Sequence, residues 1–319
     1  MGETLDQIER ALARGRARGT TITAVYDALD WLEWVPRRAQ VAVIESLLAL
    51  WAELSKRHDH LLAKIFVPSD CCPLDLFCGP GVDDLMVRAS RLDWDLPSLY
   101  RLVFYQLGAT GGDVRSWLES FGVRFRVREV MDWVPDEPHV DVIRRWLAAT
   151  LPTATGVDAR GGSPERWIAD HLRDGHGRVA PASMTGFFCE AATHARTRPS
   201  GGHLLTMSDA MSAIDTMAAR RVESSDRVYR RVDLLRSPAG RTLPLHRNEV
   251  EVALSVGDTG FPHVVTLDHR ADTTKQDGRA ALERLIRLGL LKELDGGARI
   301  DMPDLFVRHF DVRRAAPTG

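Results

Sequence analysis

The sequence predicts a mixed fold in three parts: a small parallel β-sheet unit, an all-helical region, and a C-terminal pair of helices followed by a β-hairpin. Three observations lead to this prediction. Two short apolar runs, 20–25 and 61–70, flank a long amphipathic stretch, and the order strand, helix, strand is that of a parallel crossover unit. From about residue 97 the apolar residues recur at helical spacing. Close to the C-terminus, two helical segments precede two short strands joined by an Asp-Gly-Gly turn.

The N-terminal part, predicted over residues 1–107, contains both strands of the sheet. Residues 1–15 are expected to form a helix with one apolar stripe, made of Leu5, Ile8 and Leu12. The β-branched run 20–25 is short enough for a strand that is buried on both faces. Pro36 suits the first turn of the helix that follows. The inward positions of that helix are Ile44, Leu47, Leu48, Trp51 and Leu54.

The middle part, residues 108–243, is predicted to be all-helical. One of its helices, in "SPERWIADHLRDG", has Ser163 as a capping residue and Pro164 at the first helical position. The C-terminal part, residues 244–319, combines the helices "HRNEVEVALSV" and "GRAALERLIRLGLLKEL" with a hairpin that turns at 295–297. Helices followed by a small hairpin describe a winged-helix module.

Composition and charge exclude several classes of protein. The hydrophobic fraction of 44% is that of an ordinary globular chain, and no apolar run approaches the roughly 20 residues that cross a bilayer. The N-terminus lacks the apolar core of a secretory signal, and the four cysteines lack the paired spacing of a zinc site. A net charge of −2 argues against a protein wholly devoted to nucleic acid. We therefore expect a cytoplasmic protein with reduced thiols and no membrane partner.

Two acidic residues follow the first predicted strand. Asp27 comes directly after "TITAVY", and Asp30 follows in the same loop. The carboxyl ends of parallel strands border the crevice in which phosphates bind, and Mg²⁺ prefers oxygen ligands. An acid in this place can hold a magnesium ion or its bound water without entering an apolar core. The other interpretation is that the two aspartates cap the following helix or hydrate the end of the strand.

The motifs of the chain, taken in order, resemble those of a known family. The segments "ITAVYDALDWL", a helix, "LLAKIFVPSD" and "LDWDLPSLYRLVFYQL" are similar to the second half of bacterial P-loop ATPases of the STAND and KAP groups. The resemblance runs from about residue 15 to residue 310 and rests on the order of the motifs. It implies an α/β plus α fold: a partial P-loop (ASCE-type) parallel sheet with a Walker B strand, then an all-helical lid and a winged helix.

The resemblance also assigns roles to four residues. Asp27 would be the Walker B residue that binds Mg²⁺, and Asp30 would be the trailing acid of that motif, with a catalytic role. Ser69 and Asp70, at the end of the second strand, would lie where a sensor residue contacts the terminal phosphate of ATP. Ser69 would then help to bind the nucleotide, and Asp70 would act with Asp30 in catalysis.

The chain departs from the family pattern in three places. Ala28 stands where many relatives carry a second acid, and Pro68 stands where the family has arginine. The sequence contains no G-x-x-x-x-G-K-[ST] phosphate loop, the Walker A motif. We therefore expect ATP and Mg²⁺ to bind only if another chain supplies that loop, and no ATP hydrolysis by this chain alone. The resemblance thus implies the regulatory and lid portion of a STAND-like ATPase, a nucleotide-dependent switch or assembly subunit. Its partner would be a Walker A-bearing subunit or further copies of itself.

The alternative is a non-enzymatic DNA-binding or scaffold protein that uses the winged helix. Acidic Asp277 and Glu283 interrupt the basic face of this module. The candidate DNA contacts are Lys275, Arg279, Arg284, Arg287 and Arg299.

Overall fold

The computed structural model of the chain is mixed α/β and mostly helical, with small sheets. It describes residues 19–29, 32, 35, 37–67, 87–129, 133–151, 163–197, 204–223, 242–255, 273–310 and 312–314. These residues fall into two compact units with a boundary between Leu92 and Asp93. The helix predicted over residues 1–15 lies outside the described residues.

The first unit contains strand β1 (Ile22–Tyr26), helix α1 (Arg37–Arg57) and strand β2 (Leu61–Ile65). The two strands pair in parallel, with Ile22 opposite Leu61 and Tyr26 opposite Ile65. Because parallel neighbours need a long crossover, α1 carries the chain back along the sheet. The predicted order of strand, helix and parallel strand is confirmed.

Helix α1 covers one face of this sheet. Ile44 and Leu48 form the centre of its core, against which Ile65 packs. On the opposite face, Val25, Leu62 and Phe66 are 60%, 49% and 44% exposed. The expectation that the first strand is buried on both faces is therefore wrong for the described residues. An apolar, β-branched run indicates a strand, but the number of faces that are covered depends on which other elements pack there.

The second unit begins with six helices around one aromatic-rich core. At its centre the Trp146 ring contacts the rings of Phe104 and Phe188 at centroid distances of 5.0 and 5.2 Å. Two of the predicted helix boundaries are confirmed: the first helix ends at Gly108, and Pro164 occupies a first helical position after Ser163. The helices are α2 (Leu96–Gly108), α3 (Gly112–Ser120), α4 (Val140–Thr150), α5 (Pro164–Leu172), α6 (Pro181–Arg196) and α7 (Met207–Glu223), with a hairpin of β3 (Phe125–Val127) and β4 (Trp133–Pro135) after α3.

The carboxylate of Glu165 is buried in this helical core. The side chain of Glu165 on α5 is 1% exposed, and Arg144 Nε on α4 donates a hydrogen bond of 2.9 Å to it. Burial acts to raise the pKa of Glu165, but hydrogen bonds from Ser163, the backbone and Arg144, together with the Arg144 charge, outweigh it and hold the pKa below its ordinary value. The ionised form of Glu165 therefore stabilises the junction of α4 and α5.

We expect Glu165→Gln to destabilise the protein by about 1–3 kcal/mol at pH 7. The substitution removes the negative charge of a buried side chain, and with it the ion pair to Arg144, which remains in contact with water. The pKa of Glu165 is lower in the folded protein than in the unfolded chain. Its contribution to the free energy of unfolding is therefore fully present above the pKa of the unfolded chain and is lost as the pH falls through the pKa of the folded protein. Urea unfolding at pH 7 and at about pH 3.5 should show the difference between variant and wild type shrinking in acid. The exposed Glu119→Gln is the control, and an equal effect of both variants at pH 7 would contradict the prediction.

The described residues of the second unit end in short strands and three helices. The strand Arg299–Asp301 lies between Leu245–His246 and Lys292–Leu294 in an antiparallel sheet, while Thr242–Leu243 pairs in parallel with Arg313–Arg314. The hairpin predicted at 295–297 is confirmed: Asp295, Gly296 and Gly297 all have positive φ, which suits the two glycines. The elements are β5 (Thr242–Leu243), β6 (Leu245–His246), α8 (Arg247–Ser255), α9 (Thr273–Arg287), β7 (Lys292–Leu294), β8 (Arg299–Asp301), α10 (Asp304–His309) and β9 (Arg313–Arg314).

Within the described residues, none of the helices combines the length and the apolar character needed to span a membrane.

Candidate functional site

Asp27 lies at the carboxyl edge of the parallel strand pair. It directly follows Tyr26, the last residue of β1, and its side chain is exposed. The backbone N–H of Phe66 donates a hydrogen bond of 2.9 Å to the carbonyl of Tyr26, so the ends of β1 and β2 stay side by side. The acid is therefore held at the edge where parallel sheets bind ligands, outside the apolar core.

The backbone turns sharply just after this acid. Ala28 has a φ of 59°, in the left-handed region that non-glycine residues seldom adopt. Its N–H donates a hydrogen bond of 2.8 Å to Asp27 Oδ1, which ties the carboxylate to the turn. Among the described residues, no basic side chain forms an ion pair with Asp27. Its negative charge is thus open to a cation.

Gln40 binds the backbone of Leu32 and Val35, two residues that precede α1, and no pattern in the sequence indicates this role. Its side chain is fully buried on α1, and its Nε2 donates hydrogen bonds of 2.7 Å to the carbonyls of both Leu32 and Val35. Helical periodicity identifies apolar positions, so a glutamine gives no signal by itself. The one available clue is its place one turn before Ile44, on the face that packs against the sheet.

The other three residues of the predicted nucleotide site, Asp30, Ser69 and Asp70, lie outside the described residues. In the described ranges, no group of three or more His, Cys, Asp and Glu side chains could hold a metal ion. A magnesium ion of a nucleotide complex needs only one or two protein carboxylates, because phosphates and waters fill its remaining positions. Asp27 can supply one such ligand.

The basic residues predicted to contact DNA are spread over α9 and the hairpin. Arg279 is exposed, whereas Arg284 and Arg287 are half-buried. The Arg287 carbonyl accepts a hydrogen bond of 2.8 Å from His176 Nε2. Arg299 forms an ion pair with Asp295 within the turn. Lys275 is in the first turn of α9, and its side chain is outside the described residues.

An acidic cluster lies beside these basic residues. Arg247, at the start of α8, contacts Glu293 at 2.6 Å, Glu251 at 3.1 Å and also Glu283. Partial burial acts to lower the pKa of Arg247, but the three carboxylates outweigh it and raise the pKa above its ordinary value. One positive and three negative charges leave this cluster net negative, which repels DNA phosphates.

Comparison with known proteins gives no match: no family model, no curated protein and no solved structure matches this chain. The resemblance to STAND and KAP ATPases therefore rests on the order of motifs in the sequence.

Proposed function

We propose that this chain is the regulatory and lid-bearing portion of a STAND-like ATPase, a cytoplasmic switch or assembly subunit that does not hydrolyse ATP alone. Its first unit is a partial P-loop nucleotide domain in which Asp27 binds the Mg²⁺ of ATP, while a second chain supplies the phosphate loop. One observation carries the proposal: an exposed acid without an ion-pair partner among the described residues stands at the carboxyl end of a parallel strand pair.

The chemistry of the proposed site is compatible with nucleotide binding and predicts no turnover by this chain alone. Mg²⁺ keeps several waters and binds one or two carboxylates together with phosphate oxygens, so a single well-placed acid suffices as a protein ligand. Catalysis of phosphoryl transfer also needs the amides and the lysine of a Walker A loop to stabilise charge on the transferred phosphate. The sequence contains no such loop, and in this proposal another subunit contributes it.

The second unit fits the lid and the winged helix of such an ATPase. The helices α2–α7 form the lid in this proposal, and α8, α9 and the hairpin form the winged helix. The strand order β6-β8-β7, with the two helices between β6 and β7, supports this assignment. The acidic cluster around Arg247 favours contact with protein over contact with DNA phosphates.

Asp27→Ala tests the proposal. With a Walker A-bearing subunit added, we expect the full chain to bind the Mn²⁺ complex of ATP, measured by electron paramagnetic resonance, and the variant to bind it at least about tenfold more weakly because a charged metal ligand is lost. The chain alone should release no phosphate from ATP.

The control is Asp59→Ala, which removes a side chain that is 83% exposed and precedes β2, at the opposite edge of the sheet. Equal affinities of the two variants for the Mn²⁺ complex, or wild-type binding that survives Asp27→Ala, would refute the proposed site.

A further inference from the structure

The hairpin of β3 and β4 has an outer face with three regularly spaced arginines. Arg124, Arg126 and Arg128 occupy alternate positions on β3 and on the residue at either side of it, and all three are exposed. Because successive side chains of a strand point to opposite faces, these three point to the same face of the hairpin. Alternate residues of a strand are about 6.8 Å apart. We call these three residues the arginine face.

The charge of the arginine face is largely unneutralised. The sequence contains no acid between residues 121 and 128. Arg126 Nε lies 2.7 Å from Asp136 Oδ1, but both side chains of this pair are in contact with water. Among the described residues, neither Arg124 nor Arg128 forms an ion pair. Since an exposed ion pair contributes little to stability, Arg126 can exchange Asp136 for another anion.

The hairpin is fixed to the helical body, which holds the arginine face in place. On the inner face, Phe125 packs against the helical core. Arg101 Nε on α2 donates a hydrogen bond of 2.7 Å to the carbonyl of Pro135. The guanidinium of Arg115 on α3 lies over the Trp133 ring, 5.0 Å from its centroid, in a cation–π contact. The arginines therefore extend from a rigid support, which reduces the entropy that is lost on binding.

The backbone of a nucleic acid strand carries the charges that match this face. It has one phosphate per nucleotide, and a guanidinium group can donate two parallel hydrogen bonds to a phosphate. Consecutive phosphates are separated by a distance similar to that between alternate residues of a β-strand, so three arginines in line can contact three consecutive phosphates. Acidic side chains of a protein repeat at this interval only where its sequence places them at alternate positions of a strand.

Exposed apolar side chains on the same hairpin favour a single strand over a duplex. Val127 and Trp133 lie opposite each other at the loop end of the hairpin and are 67% and 41% exposed. Unpaired bases have free faces that stack on such side chains, whereas the bases of a duplex are stacked in its interior. The hairpin is only two strands wide, so a nucleic acid strand that passes around its end can contact both faces.

We propose that the hairpin of β3 and β4 binds single-stranded nucleic acid. The arginine face contacts consecutive phosphates, and Val127 and Trp133 contact a base. This surface belongs to the second unit, and the proposal does not depend on the cation site at Asp27.

Fluorescence anisotropy of a labelled oligothymidylate of about 15 nucleotides tests the proposal on the full chain. The logarithm of the binding constant should fall with the logarithm of the salt concentration with a slope of about −2, because each of three neutralised phosphates contributes about −0.7. Arg124→Gln combined with Arg128→Gln should reduce the slope to about −0.7 and weaken binding at low salt at least about tenfold. Trp133→Leu should weaken binding at least about fivefold and leave the slope unchanged, since the lost contact carries no charge.

Arg57→Gln combined with Arg166→Gln is the matched control. Both arginines are exposed, on α1 and α5, and this double variant changes the net charge by the same amount. It should keep the wild-type slope and affinity, and unchanged urea unfolding should show that each variant is folded.

Four results would overturn the proposal. The wild type does not bind the oligonucleotide, or the control variant weakens binding as much as the loss of Arg124 and Arg128. A duplex of the same length binds as tightly as the single strand, or polyglutamate binds more tightly than the oligonucleotide and displaces it. The last result would identify an acidic protein as the partner of the arginine face.

Discussion

Gly278→Ala is expected to destabilise the second unit by about 2–3 kcal/mol, although alanine is the better helix former by about 1 kcal/mol. Gly278 is buried inside α9, where that helix crosses α8. A Cβ at this position would lie 2.0 Å from Ser255 Oγ and 2.2 Å from the carbonyl oxygen of Glu251. The two helices would have to separate, because a backbone carbonyl cannot move aside as a flexible side chain does. Equilibrium urea unfolding measures the loss.

Two further variants show whether the close helix contact is the cause. Gly112→Ala adds a methyl group in α3, where the nearest other atom is Arg115 Nη2 at 3.8 Å, and should change stability by less than about 1 kcal/mol. Adding Ser255→Ala to Gly278→Ala should recover part of the loss, since it removes the hydroxyl but leaves the Glu251 carbonyl. A Gly278→Ala protein as stable as wild type would show that α8 and α9 are not packed this closely.

Trp146→Ala is expected to have the largest effect on stability, about 3–5 kcal/mol. The side chain of Trp146 is 1% exposed and lies at the centre of the helical core, with Tyr100, Phe104 and Phe188 around its ring. Truncation removes these aromatic contacts and leaves a cavity that α2, α4 and α6 together cannot close. Thermal and urea unfolding of the full chain measure the loss.

Trp94→Ala provides the comparison for the same chemical change at an exposed position. Its side chain is 43% exposed, before the start of α2, so its loss should change stability by less than about 1 kcal/mol. Trp146→Phe should recover much of the Trp146→Ala loss, because Trp146 Nε1 has no hydrogen-bond partner among the described residues. Similar stabilities for the Trp146→Ala and Trp94→Ala variants would contradict this view of the core.

Local signals in the sequence were sufficient for much of the fold. The parallel pairing of β1 and β2 follows from two short apolar runs and the long helix between them. Helix α2 ends at Gly108, α5 begins at Pro164, and the hairpin turns at 295–297. These positions depend on the backbone preferences of glycine and proline, which act within a few residues. The position of Asp27 at a strand end is also a local feature, because it depends only on where β1 stops.

The spacing of apolar residues in α2 does not predict the full buried face of that helix. The spacing of Leu99, Leu102, Val103 and Gln106 suggests one inward stripe. Leu99 and Val103 are buried, but Leu102 is half-buried and Gln106 is exposed. Tyr100 and Phe104, both fully buried, lie on a second inward stripe. Several helices surround α2 in this unit, and the number of its neighbours decides how wide its buried face is.

By itself, the sequence determined the types of most elements and the acid at the end of β1, because these features are encoded by neighbouring residues. The prediction that residues 108–243 are all-helical was wrong, because β3 and β4 form a hairpin there. Only the tertiary structure decided that Gln40 binds the carbonyls of Leu32 and Val35, that Arg144 partners the buried Glu165, and that Gly278 lets two helices touch. These features depend on groups that folding brings together from different elements. Their hydrogen bonds, charge and steric fit arise from three-dimensional distances, and no pattern along the chain specifies those distances.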